Sequence, residues 1–187
     1  MTFRFAGYTA TMVATLALGC LAPVAAATVT GSLAHPAVVW ISQPAPNKTA
    51  EVEMRNRDRQ FIPNLVVIAP GDSVRFPNDD AFYHSIYSYT NEGPFDIGYY
   101  GTGPGKVVKF SVAAIIDVRC HIHPSMHATI VVADGPATRG SVTSFSIDGI
   151  TAGKHILHYW SDGEPVRSIE ITVTGQRLDA GRIKDRR

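Results

Sequence analysis

The sequence predicts an all-β protein built from sandwiches, on three observations. Apolar residues recur at every second position, as in Val74 and Phe76, in Val108, Phe110 and Val112, in Ile130 and Val132, and in Ile169, Ile171 and Val173. That period places one face of a strand in a core and the other in water. Turn residues separate the runs, at Pro70-Gly-Asp72, Gly103-Pro-Gly105, Asp134-Gly-Pro136, Asp148-Gly149 and Asp162-Gly163. No window carries a sustained helical stripe, and there is no internal repeat or low-complexity tract. Short alternating strands divided by Gly and Pro turns are the pattern of a β-sandwich.

The chain begins with a different signal. Arg4 precedes an apolar run from Met12 to Ala27, and Ala25-Ala-Ala27 supplies small residues at its end. This predicts a secretory signal peptide over residues 1–27, because the run is short and has no stop-transfer flank. An uncleaved anchor, or lipid attachment at Leu18-Gly-Cys20, is the alternative. After cleavage no membrane span is expected. Of the two cysteines, Cys20 leaves with the leader and Cys120 stands alone. An unpaired thiol in an oxidising compartment calls for a role, and binding a metal as thiolate supplies one.

Composition excludes one class of partner. The 17 basic and 16 acidic residues come into balance once Arg4 is lost with the leader. Nucleic acid demands clustered Lys and Arg, and the one basic cluster is the tail, residues 177–187. Its five basic residues face Asp179 and Asp185 without an apolar period, so a disordered, solvated tail is expected.

Along the body, Thr28-Val-Thr-Gly-Ser32 and Ala37-Val-Val-Trp-Ile-Ser42 read as two strands. Residues 49–133 follow between these strands and the next, with Pro70-Gly-Asp72 as a turn. Ser141–Gly149, His155–Trp160 and Ser168–Val173 read as three more strands. Two strands left alone are marginal, so those of residues 28–48 are expected to pair with those of 134–176. The middle unit would then be inserted into a small accessory sandwich.

The chemistry concentrates in Cys120-His-Ile-His123-Pro-Ser-Met126-His127. Cys120, His123 and Met126 recur every three residues on one short loop that runs into Thr129-Ile-Val-Val132. Thiolate, imidazole and thioether form a soft to borderline ligand set, suited to copper cycling between two oxidation states. A trigonal site needs a second imidazole, and His84 supplies it. The expected ligands are therefore His84, Cys120, His123 and Met126 around one copper ion. His121 is expected to point away from Cys120; His127 reads as a strand or outer residue, and His155 and His158 as structural. Tyr83, Tyr87, Tyr89, Tyr99 and Tyr100, with Phe82 and Phe95, either shield the metal or line a docking patch.

These stretches resemble the cupredoxins, the plastocyanin and amicyanin type in particular. The paired strands over Asn64–Phe76, Asn78 six residues before His84, and the short Cys120-x-x-His123-Pro124-x-Met126 loop carry the resemblance, which spans about residues 50 to 133. It is also similar to bacterial periplasmic proteins of the methylamine-utilisation kind. The resemblance implies a Greek-key β-sandwich, a blue type 1 centre with Met126 as its weak axial ligand, and Asn78 tying the two ligand loops together. It further implies a periplasmic electron carrier, not an enzyme, that docks transiently on a redox partner near His123. Copper delivery or storage using His121 and His127 is an alternative, as is a structural module with a non-blue site. The flanking strands resemble a carboxypeptidase regulatory or transthyretin-like β-domain, through Phe145-x-Ile-x-Gly149 and Gly153-Lys-His-x-Leu-x-x-Trp160.

Overall fold

Alternation becomes strand throughout the computed structural model, which describes residues 26–44, 48–140 and 144–183. All regular elements among the described residues are strands. In chain order they are β1 (Ala27–Leu33), β2 (Ala37–Ile41), β3 (Glu51–Glu53), β4 (Arg55–Arg57), β5 (Gln60–Ile62) and β6 (Leu65–Ile68). Then come β7 (Ser73–Asn78), β8 (His84–Ser88), β9 (Phe95–Tyr100), β10 (Gly103–Lys109), β11 (Ala114–Cys120) and β12 (His127–Val132). The last are β13 (Ala137–Gly140), β14 (Phe145–Ile150), β15 (Gly153–Trp160), β16 (Arg167–Val173) and β17 (Arg177–Ile183).

Four sheets form two sandwiches. One sandwich opposes the order β10-β7-β4-β5, with β3 also on β7, to the order β6-β12-β11-β8-β9. Both sheets feed one core that includes Met54, Phe61, Val74, Phe76, Ile86, Ile116, Val118 and Ile130. The second sandwich opposes β14-β1-β17 to β13-β2-β15-β16. Its core gathers Val29, Val39, Ile41, Phe145, Ile147, Leu157 and Val173. In the sheet order β1 and β2 pair only with strands that follow residue 136, so β3–β12 are inserted between β2 and β13.

The run Ala37-Val-Val-Trp-Ile41 is buried at every position, unlike the alternating strands. Both of its faces are covered, which is why it reads as continuously apolar. Val39 and Ile41 enter the second core. Val38 and Trp40 join Trp160 against Val131 and Ala133, flanked by Leu65, Val67 and Ile115 of the inserted unit. Asp134 completes this seam by accepting from the Trp40 indole at 3.0 Å and from Ser42 Oγ at 2.8 Å.

The tail departs from expectation. Residues 177–183 are not a solvated end but the strand β17, parallel to β1 from Thr28↔Arg177 to Leu33↔Ile183. The period was hidden because the register shifts between Thr30 and Ser32, beside Gly181 at φ 71°. Such an irregularity moves Ile183 out of phase with Leu178 and Ala180, yet all three pack on the second core. Gly31 makes room here, since a Cβ on it would lie 2.6 Å from the Phe145 ring. The short β13 was also missed, because Ala137-Thr-Arg-Gly140 carries almost no apolar side chain.

The expected leader lies outside the described residues except for Ala26 and Ala27. Ala27 opens β1 opposite Ile150 and is 1% exposed, so the strand begins one residue before the expected start of the mature chain. No helix among the described residues is long and apolar enough to cross a membrane.

Candidate metal centre

Two neighbouring strands bring three of the expected ligands, His84, Cys120 and His123, together. Ile116, Val118 and Cys120 alternate inward along β11 and end in the first core. Cys120 lies opposite Ile86 of β8, and the next amide, that of His121, donates to Ser85 O at 2.9 Å. His84 opens β8, so its ring stands beside the Cys120 sulfur. Past Cys120 the chain turns through Pro124, with Met126 N donating to His123 O at 2.9 Å. Proline suits the second position of such a turn, where its fixed φ is already correct. The turn folds His123 back over the strand end.

Cys120 Sγ lies 3.7 Å from His84 Nδ1 and 3.9 Å from His123 Nδ1. The three ligand atoms all fall within 4.8 Å of one another. His84 is wholly buried and Cys120 is 3% exposed, while His123 is half-buried at the rim. Met126 is 1% exposed and belongs to the same core as Cys120. Burial, with His84 and Arg59 nearby, holds the His123 imidazole below its ordinary range and so favours the neutral, ligating form.

The loop before His84 is pinned by hydrogen bonds at Asp79, Asp80 and Phe82. Asn78 Oδ1 accepts from Asp80 N at 2.9 Å, and its Nδ2 donates to Phe82 O at 2.8 Å. Both bonds lie inside the His84 loop, so Asn78 braces that loop and its side chain does not reach across to the Cys120 loop. An Asx-type contact two residues on is the local option open to asparagine. The cross-link between the two loops is the His121 amide to Ser85. Asp79 N donates to Asn56 O, and Thr102 Oγ1 donates to Asp80 O.

Asp80 was not singled out by the sequence reading. Its carboxylate lies 2.9 Å from His84 Nε2 and accepts from the amides of Asp58 at 2.7 Å and Arg59 at 3.2 Å. Burial pushes this carboxyl up, but those amides and His84 outweigh it, and it sits below the usual carboxylate range. Its spacing of four before His84 was the available signal. Phe82 was noted only among the aromatics; its ring centroid lies 5.4 Å from both His84 and His123, with the Arg59 guanidinium 4.8 Å above it.

The remaining candidates lie elsewhere. His121 stacks on Tyr87 at 3.8 Å and its Nε2 faces Asp96 at 3.2 Å. His127 is exposed at the start of β12, opposite Arg119. His158 stacks on Trp40 and meets Ser42 Oγ at 2.8 Å, far along the chain in the second sandwich, and His155 bonds Thr151 O there. Tyr83, Tyr89 and Tyr99 are exposed, whereas Phe95 packs between Phe76 and Phe110.

The donor set fits a first-row transition ion. Bonds of about 2.3 Å to thiolate and about 2.0 Å to imidazole, opened to about 120°, would set sulfur and nitrogen about 3.7 Å apart. The observed 3.7 and 3.9 Å need little adjustment.

No protein-family model and no curated protein matches the chain. Among solved structures it is similar to amicyanin from Paracoccus versutus, at 16% identity over 50% of this chain and 96% of that one, with a TM-score of 0.41. It is similar to a pseudoazurin from Sinorhizobium meliloti at 20% identity, over 46% of this chain and 76% of that one, TM-score 0.36. A copper-containing nitrite reductase from Thermus scotoductus shares 26% identity over 48% of this chain, with a TM-score of 0.41. The match covers 23% of that enzyme's length.

Proposed function

We propose that the chain is a periplasmic type 1 copper protein that carries single electrons between redox partners. The observation that supports this is the trio itself: two imidazole Nδ1 atoms and one thiolate sulfur within 4.8 Å, set in the end of a rigid sandwich. Thiolate and imidazoles with a thioether in the same core select copper over the hard, oxygen-seeking ions. Copper bound there supplies one-electron chemistry by alternating between Cu(I) and Cu(II).

The residues divide the work. Cys120 would bind as thiolate, held by the pairing of β11 with β8, and His84 and His123 would supply the two imidazole nitrogens. Met126, buried in the same core, would offer a weak thioether donor that tunes the potential. Phe82 lies against both imidazoles and keeps water from them. His123 is the ring nearest solvent, and Ile122 and Pro124 on either side of it are exposed. A small apolar contact there suits a partner that must leave as readily as it arrives. We read a carrier and not an enzyme, because three donor atoms already converge within 4.8 Å, with a buried thioether in the same core. The periplasmic placement rests on the expected leader. The second sandwich, whose strands resemble a carboxypeptidase regulatory domain, acts in this reading as the frame that holds the copper unit.

The test is the visible and electron paramagnetic resonance spectrum of the mature protein loaded with Cu(II), beside Cys120→Ser. An intense blue band with narrow copper hyperfine splitting is expected, reversible on reduction and abolished in the variant with its circular dichroism unchanged. A pale site with wide splitting, or colour retained in Cys120→Ser, refutes the assignment. Release of copper to a chelator without a redox cycle would favour delivery instead.

A further inference from the structure

We infer that Asp80 is a positioning residue for the metal centre: its carboxylate holds His84 by Nε2, so that Nδ1 faces Cys120, and strengthens that imidazole as a donor. The inference rests on the copper reading and deepens it. His84 has no exposed surface, so its ring nitrogens must find partners in the protein. Nε2 has Asp80 Oδ2 at 2.9 Å, and Nδ1 has Cys120 Sγ at 3.7 Å. An ionised carboxylate only accepts, so the ring proton belongs on Nε2 and the Nδ1 lone pair is left for a metal.

Asp80 is itself held from three sides. Its amide is bonded to Asn78 Oδ1 and its carbonyl to Thr102 Oγ1. Its carboxylate receives the amides of Asp58 and Arg59, the two central residues of the β4–β5 hairpin. Both adopt left-handed backbone, at φ 55° and 56°, although neither is glycine or asparagine. A two-residue hairpin of this hand demands positive φ at both positions, and an arginine there is unfavourable. The cost is met where those amides point at a buried anion. The same Arg59 covers Phe82, which covers both histidines. The hairpin therefore acts as an outer clamp on the site.

A carboxylate bonded to a ligating imidazole raises its basicity, and removing such a partner typically weakens metal binding by about 10–100-fold. The effect falls mainly on Cu(II), the more charged ion. Asp80 should hold the reduction potential down.

Two measurements decide this. Nitrogen NMR of the metal-free wild-type protein, taken where the His84 ring carries a single proton, is expected to place that proton on Nε2; a single proton on Nδ1 overturns the proposal, whether or not any variant folds. In the copper-loaded protein, Asp80→Asn is expected to keep the blue band and to lose about 10–100-fold in Cu(II) affinity. Its potential should rise by about 59 mV for each tenfold by which the Cu(II) loss exceeds the Cu(I) loss. A folded variant with unchanged affinity and potential overturns the role of Asp80 and leaves the copper reading standing. A wild-type protein that takes up no copper overturns both.

Discussion

Replacing Asn78 with alanine should loosen the His84 loop by an amount that the structure sets. Asn78 is 1% exposed, and its side chain makes two hydrogen bonds, from Asp80 N to Oδ1 and from Nδ2 to Phe82 O. Alanine removes both partners. A buried group left unsatisfied costs about 1–3 kcal/mol; because Phe82 is only half-buried, water can reach its carbonyl, so a total of about 2–4 kcal/mol is expected. That is a large share of the roughly 5–15 kcal/mol that holds a domain folded. With a urea slope of about 2 kcal/mol/M, the midpoint of the metal-free inserted sandwich should fall by about 1–2 M. Circular dichroism during a urea titration measures this, and hydrogen exchange at the Asp80 amide locates it. A loss under about 1 kcal/mol, with that amide still protected, would refute the reasoning that Asn78 braces the loop.

Three further outcomes follow from the same geometry. Met126→Leu conserves core volume and should cost less than about 1.5 kcal/mol, keep the blue band and raise the potential; an unchanged potential in voltammetry would remove Met126 from the ligand set. Burial holds the His158 imidazole below its ordinary range, with nearby Asp134 opposing, while Ser42 and Ser168 bond the ring. Its contribution is therefore complete above about pH 6.5 and is lost as pH falls below that. Melting temperatures taken from about pH 7.5 down to about pH 5 should drop less steeply in His158→Gln, and an identical slope would contradict this. Ending the chain after Gln176 removes β17 and the burial of Ile183, Leu178 and Ala180, worth about 3 kcal/mol. A melting temperature lower by about 6–12 °C is expected, and no change would return the segment to a solvated tail.

Much of the architecture was legible because alternation and turn chemistry are local. The strands over Thr28–Ser32, Ala37–Ser42 and His155–Trp160 could be read from their own residues, and the all-β class followed. The parallel partner of β1 was not legible, since a shifted register breaks the period on which such a reading depends. At the site, Cys120, His123 and Met126 share seven residues, so their spacing was visible. His84 was reached only by asking what a trigonal centre lacks. Asp80 and the Asp58-Arg59 turn escaped because their roles arise from contacts between separate parts of the chain. Nothing in the hairpin sequence announces the carboxylate that its amides receive.

The insertion of one sandwich into the other also sets an order of events along the chain. Every pairing of β3–β12 among the described residues lies within residues 51–132, so the inserted unit can close while later residues are still being made. The frame cannot, because β1 waits for β14 and β17 and β2 waits for β13 and β15. Until then the run Ala37–Ile41, apolar on both faces, has the inserted unit to lie against, through Val131 and Ala133. Long loops close slowly and unpaired edges invite other chains. The strand on which the frame is assembled thus meets its first apolar neighbours, Val131 and Ala133, in the part of the chain that can close before it.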